Sequence, residues 1–106
     1  MLLNSTELRA VGEKHIAEIL ATLGYSCCQE SREPGFAEIM ATGPTALLVQ
    51  VRTSRYPAAP AELTGDELRQ VAARAARIGC QAWFAKLRLN SAGTPVGEIV
   101  WGRIDN

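Results

Sequence analysis

The chain is expected to fold as a mixed α/β domain, with a central mixed β-sheet flanked by helices in the order α-β-β-β-α-β-β. Three observations carry this expectation. Two segments repeat apolar residues at helical spacing and open on capping signals. Short apolar, partly β-branched runs bounded by Gly, Pro and Asn fill the rest. Three of these runs fall between the helices and two after the second, a grouping that indicates a mixed sheet with helices packed on it.

The first helix is expected over residues 4–23. Asn4 is a good N-cap, Glu7 three positions on completes a capping box, and Leu3 with Leu8 forms a hydrophobic staple. Leu8, Val11, Ile16, Ile19, Leu20 and Leu23 make the buried stripe, and Gly24 ends the helix. Tyr25 to Ser31 reads as a strand, broken by Arg-Glu-Pro-Gly at 32–35.

Strands at 36–42 and 45–53, joined by a tight Gly43-Pro44 turn, form the centre of the chain. The second is dominated by Leu47, Leu48, Val49 and Val51. Side chains alternate along a strand, so Gln50 and Arg52 project from one face. With Glu38 on the neighbouring strand they form a polar group among apolar neighbours.

Residues 54–63 hold two prolines and no clear period, so they read as a surface loop. The second helix is expected over 64–78. Thr64 and Glu67 form a second capping box, Leu68, Val71, Ala72, Ala75 and Ile78 face the core, and Gly79 ends it. Arg69, Arg74 and Arg77 read as its solvated side. Residues 80–89 form a strand, Asn90 to Pro95 a turn, and 96–104 the last strand, with Trp101 in the core or an interface.

The length, 106 residues, suits one domain over 1–106 with a modest core. No run approaches the roughly 18 apolar residues of a membrane span, so no membrane association is expected. The opening MLLNSTELR lacks the plan of a signal peptide, which makes the cytoplasm the default location. The formal net charge is zero, which argues against a surface that grips nucleic acid throughout but leaves room for a local basic patch. The three cysteines, Cys27, Cys28 and Cys80, read as buried free thiols. One His and no CxxC argue against a zinc site.

The order of elements, with these residues, resembles the PD-(D/E)xK nuclease superfamily, and within it the restriction-endonuclease-like and archaeal Holliday-junction-resolvase-like domains. Gly12-Glu13 stands on the first helix where the family carries a Glu. Glu38-Ile39-Met40-Ala41 stands where D-I-x-A would be, and Val49-Gln50-Val51-Arg52 where V-E-V-K would be. The likeness covers nearly the whole chain, yet all three signature positions depart from the pattern.

The resemblance implies a site at Glu13, Glu38, Gln50 and Arg52. In active members the acids hold Mg²⁺, which activates water and stabilises charge on the scissile phosphate. Here Gln50 offers a neutral oxygen to an ion that prefers anionic ones. Losing that charge forfeits about 4 kcal/mol at 4 Å with an effective dielectric near 20. Arg52 replaces an amine whose proton can be tuned with a guanidinium whose proton cannot.

Three readings of the site follow. Glu38 and Arg52 pair directly, with Gln50 bonding across them, and no cofactor is needed. Alternatively, Glu38 and Gln50 hold Mg²⁺ in a working endonuclease or resolvase. Or these are half-exposed strand polars with no shared role. The functions that correspond are a binding or scaffolding domain that does not cut, an active DNA nuclease, and a protein-interaction module that buries a homodimer face around Trp83 and Trp101. DNA is the candidate partner of the first two. Arg9, Lys14, Arg32 and Arg55, joined by Arg52, would then meet phosphates.

Overall fold

In the computed structural model, residues 3–29 and 38–104 are described. Helix α1 spans Ser5–Thr22. Its capping box forms as the sequence requires: Glu7 N–H donates to Asn4 Oδ1 at 2.8 Å and Asn4 N–H to Glu7 Oε1 at 3.0 Å. Helix α2 spans Gly65–Ile78. Thr64 and Glu67 cap it reciprocally at 3.1 and 2.9 Å, and Gly79 closes it at φ 76°.

The strands are β1 (Ser26–Gln29), β2 (Glu38–Thr42), β3 (Leu47–Arg55), β4 (Gln81–Leu89) and β5 (Val100–Arg103). They form one five-stranded sheet whose spatial order follows the chain. Every neighbouring pair is antiparallel except β3 and β4, which run parallel and are joined through α2.

The two faces of β3 diverge. Leu47, Val49 and Val51 join Ile39, Ala41, Ala85, Leu87 and Leu89 beneath Leu8, Ile16 and Leu20 of α1. Leu48 points the other way and joins Ala82 and Cys80 beneath Val71 and Ala75 of α2. The α1 face is closely fitted. A Cβ on Gly12 would sit 2.1 Å from Thr53 Oγ1, so only glycine lets the helix approach the strand this closely.

Several boundaries and burials differ from expectation. β3 runs past 53 to Arg55, because its parallel partner continues to Leu89 and the two strands pair throughout. The last strand shortens to 100–103. Gly97, at φ 78°, turns the chain out of the ladder, and only an isolated bridge from Pro95 to Leu89 remains before it. Leu23 and Ile78 are 62 % and 52 % exposed, since each stands at the end of its helix where the buried stripe has run out. Of the thiols only Cys80 is buried; Cys27 is half-buried and Cys28 exposed. Residues 30–31 of the first expected strand, the break at 32–35 and residues 36–37 lie outside the described residues. Among those described, no helix is long and apolar enough to cross a membrane.

Candidate functional site

The antiparallel register of β2 and β3 sets Glu38 directly opposite Gln50. The parallel register of β3 and β4 sets Gln50 beside Phe84 and Arg52 beside Lys86. By alternation these side chains share the face of Leu48, the one α2 covers. Gln50 is 1 % exposed and Glu38 6 %, so the polar group lies within the domain.

Helix α2 supplies the partners. Arg74 donates to both oxygens of Glu38, from Nη2 to Oε1 and from Nε to Oε2, the latter at 3.3 Å. Arg52 Nη2 donates to Glu67 Oε2. A strand acid therefore meets a helix base, and a strand base meets a helix acid. Glu67 and Arg74 are seven residues apart, two turns of one helix stripe, and they bracket the buried Val71.

The direct Glu38–Arg52 pair does not form. The two sit diagonally on adjacent strands, where the backbone spacing is wide, and α2 brings a closer opposite charge to each. Gln50 does not bridge them either. Its Oε1 is buried and accepts no hydrogen bond, and Arg52 Nε likewise has no partner. Arg74 is a further correction, because it lies on the site and not on a solvated face.

The electrostatics differ between the helices. The hydrogen bond from Thr64 N–H does most to hold the Glu67 carboxyl below its usual range. Burial opposes this, and Arg52 adds to the lowering. On α1, burial pushes the Glu13 carboxyl up, with nearby Arg9 pulling it partly back. Glu13 belongs to the helix on the far face of β3, packed on Leu47, Val49 and Val51.

The proposed phosphate contacts do not line one strip. Arg9 is half-buried and Lys14 exposed, both on α1. Arg55 Nη2 donates to the Leu3 carbonyl and ties the end of β3 to the start of α1. Arg52 faces α2, and Arg32 lies outside the described residues. Lys86 joins the α2 face, paired with Glu62 and 4.9 Å from the centre of the Phe84 ring.

Sequence reasoning missed Arg74 and the pairing role of Glu67. The signal was present in their spacing: 67, 71, 74 and 75 fall on one helical face, so Arg74 shares the stripe of Val71 and Ala75.

The mixed five-stranded sheet with a helix on each face matches a nuclease-like fold. The chain is similar to Hjc, a Holliday junction resolvase from the hyperthermophilic archaeon Archaeoglobus fulgidus. It matches the 1.6 Å structure of that protein with a TM-score of 0.68 and 21% identity, over 90% of this chain and 71% of that one. At this identity the likeness is one of fold. No family model matches the chain, and no curated protein does.

Proposed function

We propose that this chain is a nuclease-fold domain that binds or scaffolds and does not cut, with DNA as its candidate ligand. The observation that carries the reading is the engagement of both Glu38 oxygens by Arg74. Mg²⁺ recruits anionic oxygens in near-octahedral geometry. The site's two carboxylates, Glu38 and Glu67, are each already matched by a guanidinium, and Gln50 adds only a neutral amide oxygen. Arg52 adds a second fixed cation on the same face, which repels an incoming ion. These residues do not fit the metal that the fold implies, and Arg74 takes the place of its charge.

DNA affinity should be modest. The chain is neutral, and Arg9, Lys14, Arg52 and Arg55 are scattered over two faces or already bonded. Few phosphates can be neutralised at once, so binding at about 150 mM salt should be micromolar or weaker and steeply salt-sensitive.

The deciding experiment is calorimetric titration of Mn²⁺, with incubation of duplex and four-way-junction DNA in parallel. The parent chain should show neither stoichiometric binding nor nicking. Gln50→Glu with Arg52→Lys should still bind poorly, because Arg74 continues to hold Glu38. Adding Arg74→Ala should create measurable Mn²⁺ binding, and Glu38→Ala in that background should abolish it. Stoichiometric Mn²⁺ binding and DNA nicking by the parent, both lost in Glu38→Ala, would establish a working nuclease instead.

A further inference from the structure

The chain leaves β3 for α2 through an irregular stretch, and residues 59–62 of that stretch form one wall of a cleft of about 300 Å³. The segment from Val96 to Val100 forms the other wall, and Lys86 and Arg88 of β4 lie between them. These two cations stand two apart on one strand, so both project from the face that α2 covers further along. They belong to the carboxyl-terminal half of a parallel strand pair, the end at which α/β sheets open to ligands.

The cleft already holds a carboxylate of the chain's own. Lys86 Nζ donates to Glu62 Oε2, yet the two side chains differ sharply in exposure, 14% for the lysine and 82% for the acid. The Phe84 ring, its centre 4.9 Å from Nζ, helps to cover the ammonium. A largely covered cation is thus met by the tip of a solvent-facing side chain. A pair whose acid stands in water contributes little to the fold, so Glu62 can leave at small cost. Arg88 is exposed beside it, and among the described residues its side chain makes no hydrogen bond or ion pair.

We infer that this cleft is a binding site for a small apolar monocarboxylate. The ligand's carboxylate takes the place of Glu62 on Lys86 and meets the guanidinium fork of Arg88, while its apolar body lies against Val96 and Val100. The volume stands at the lower end of small-molecule sites, which limits the occupant to a molecule about the size of benzoate. A single negative charge suits the walls. Glu98 lines the same cleft and the displaced Glu62 stays close by, so a more highly charged anion such as phosphate is repelled twice. The inference is independent of the function proposed above, which uses neither Lys86 nor Arg88.

The test is titration of benzoate into the isotope-labelled whole chain at constant ionic strength, followed through backbone amide shifts. Saturable shifts should appear at Lys86, Arg88 and residues 96–100, with a dissociation constant of roughly 1–10 mM for so small a ligand. Glu62→Ala removes the resident acid and should tighten binding about threefold to fivefold. Arg88→Ala should weaken it about fivefold. Lys86→Met keeps the apolar stem without the charge, and in the Glu62→Ala background it should weaken binding about tenfold or more. Far-UV dichroism should stay unchanged in all of these variants. Inorganic phosphate, the second probe, should bind about tenfold more weakly than benzoate. No saturation of the Glu62→Ala chain by about 50 mM benzoate would overturn the inference. So would affinity untouched by Lys86→Met, or a Glu62→Ala chain that binds no better than its parent. Phosphate bound as tightly as benzoate would overturn it too, and would mark a pair of cations open to any anion.

Discussion

The two faces of β3 are built from alternate residues of one strand and are held in different ways. Leu47, Val49 and Val51 meet α1 through shape, with Gly12 bare against Thr53. On the other face Leu48 gives way to Gln50 and Arg52, and α2 is held there by Glu67 and Arg74 as well as by Val71 and Ala75. Apolar contact depends little on salt or acidity, whereas paired charges depend on both. Apart from the buried Glu13 of α1, the first face should thus respond little to salt or pH, whereas the second holds only while its charges stay matched.

The largest effect expected belongs to the α1 face. Ile16 is fully buried, and Ile16→Ala should cost about 2–5 kcal/mol in urea unfolding, with little dependence on salt. A cost below about 1 kcal/mol would mean that α1 does not seal this face. Gly12→Ala tests the fit from the opposite direction. Forcing a methyl onto Thr53 should cost about 1–3 kcal/mol, and Thr53→Ala in the same chain should recover part of it. Additive losses would show that the two do not touch.

On the α2 face the signature is asymmetry. The Glu38 side chain is 8% exposed and that of Arg74 30%. Arg74→Ala strands a buried carboxylate, while after Glu38→Ala the arginine can turn toward water. Arg74→Ala should therefore be the costlier change, by about 1 kcal/mol, in parallel urea titrations. Equal costs would place the pair effectively in solvent.

The smallest effects are opposite pH slopes. Glu67 has a folded value below its ordinary 4.5, so its contribution is complete above that value and is lost as pH falls through the folded one. Glu13 has a raised folded value. It favours the folded state most below 4.5, and this advantage declines as pH rises through the folded value. Melting temperature measured from pH 3 to 8 should lose part of its acid-side fall in Glu67→Gln, and part of its decline above 4.5 in Glu13→Gln. Slopes of the same sign would break the contrast between the helices.

Much of the architecture is legible in the sequence because its signals are local. Asn4 with Glu7 and Thr64 with Glu67 state where the helices begin, and the positions that resemble the nuclease signature state which strands are central. The pairing of the site is not local. Arg74 lies among Arg69 and Arg77, and only the docking of α2 over β3 and β4 decides which of them reaches Glu38 on β2. The shortening of the last strand was hidden for a related reason. Gly97 permits extended and left-handed backbone alike, and its surroundings choose between them. Leu23 and Ile78 follow the helical period correctly, but period alone does not say where the sheet beneath a helix stops.

The crossed pairing of Glu38 with Arg74 and Arg52 with Glu67 also constrains how such a sequence can drift. Each of the four positions has a partner on another element, so a change at one is penalised until the other changes too. Gln50 is a different case, because it stands directly opposite Glu38 and carries no charge. An acid appearing there alone would set two carboxylates on neighbouring strands with Arg74 already committed to one of them, and opposed like charges destabilise a sheet. The route toward an acid-rich site therefore passes first through helix α2: a lineage would have to release Arg74 before position 50 could accept an acid, and selection would meet these steps in that order.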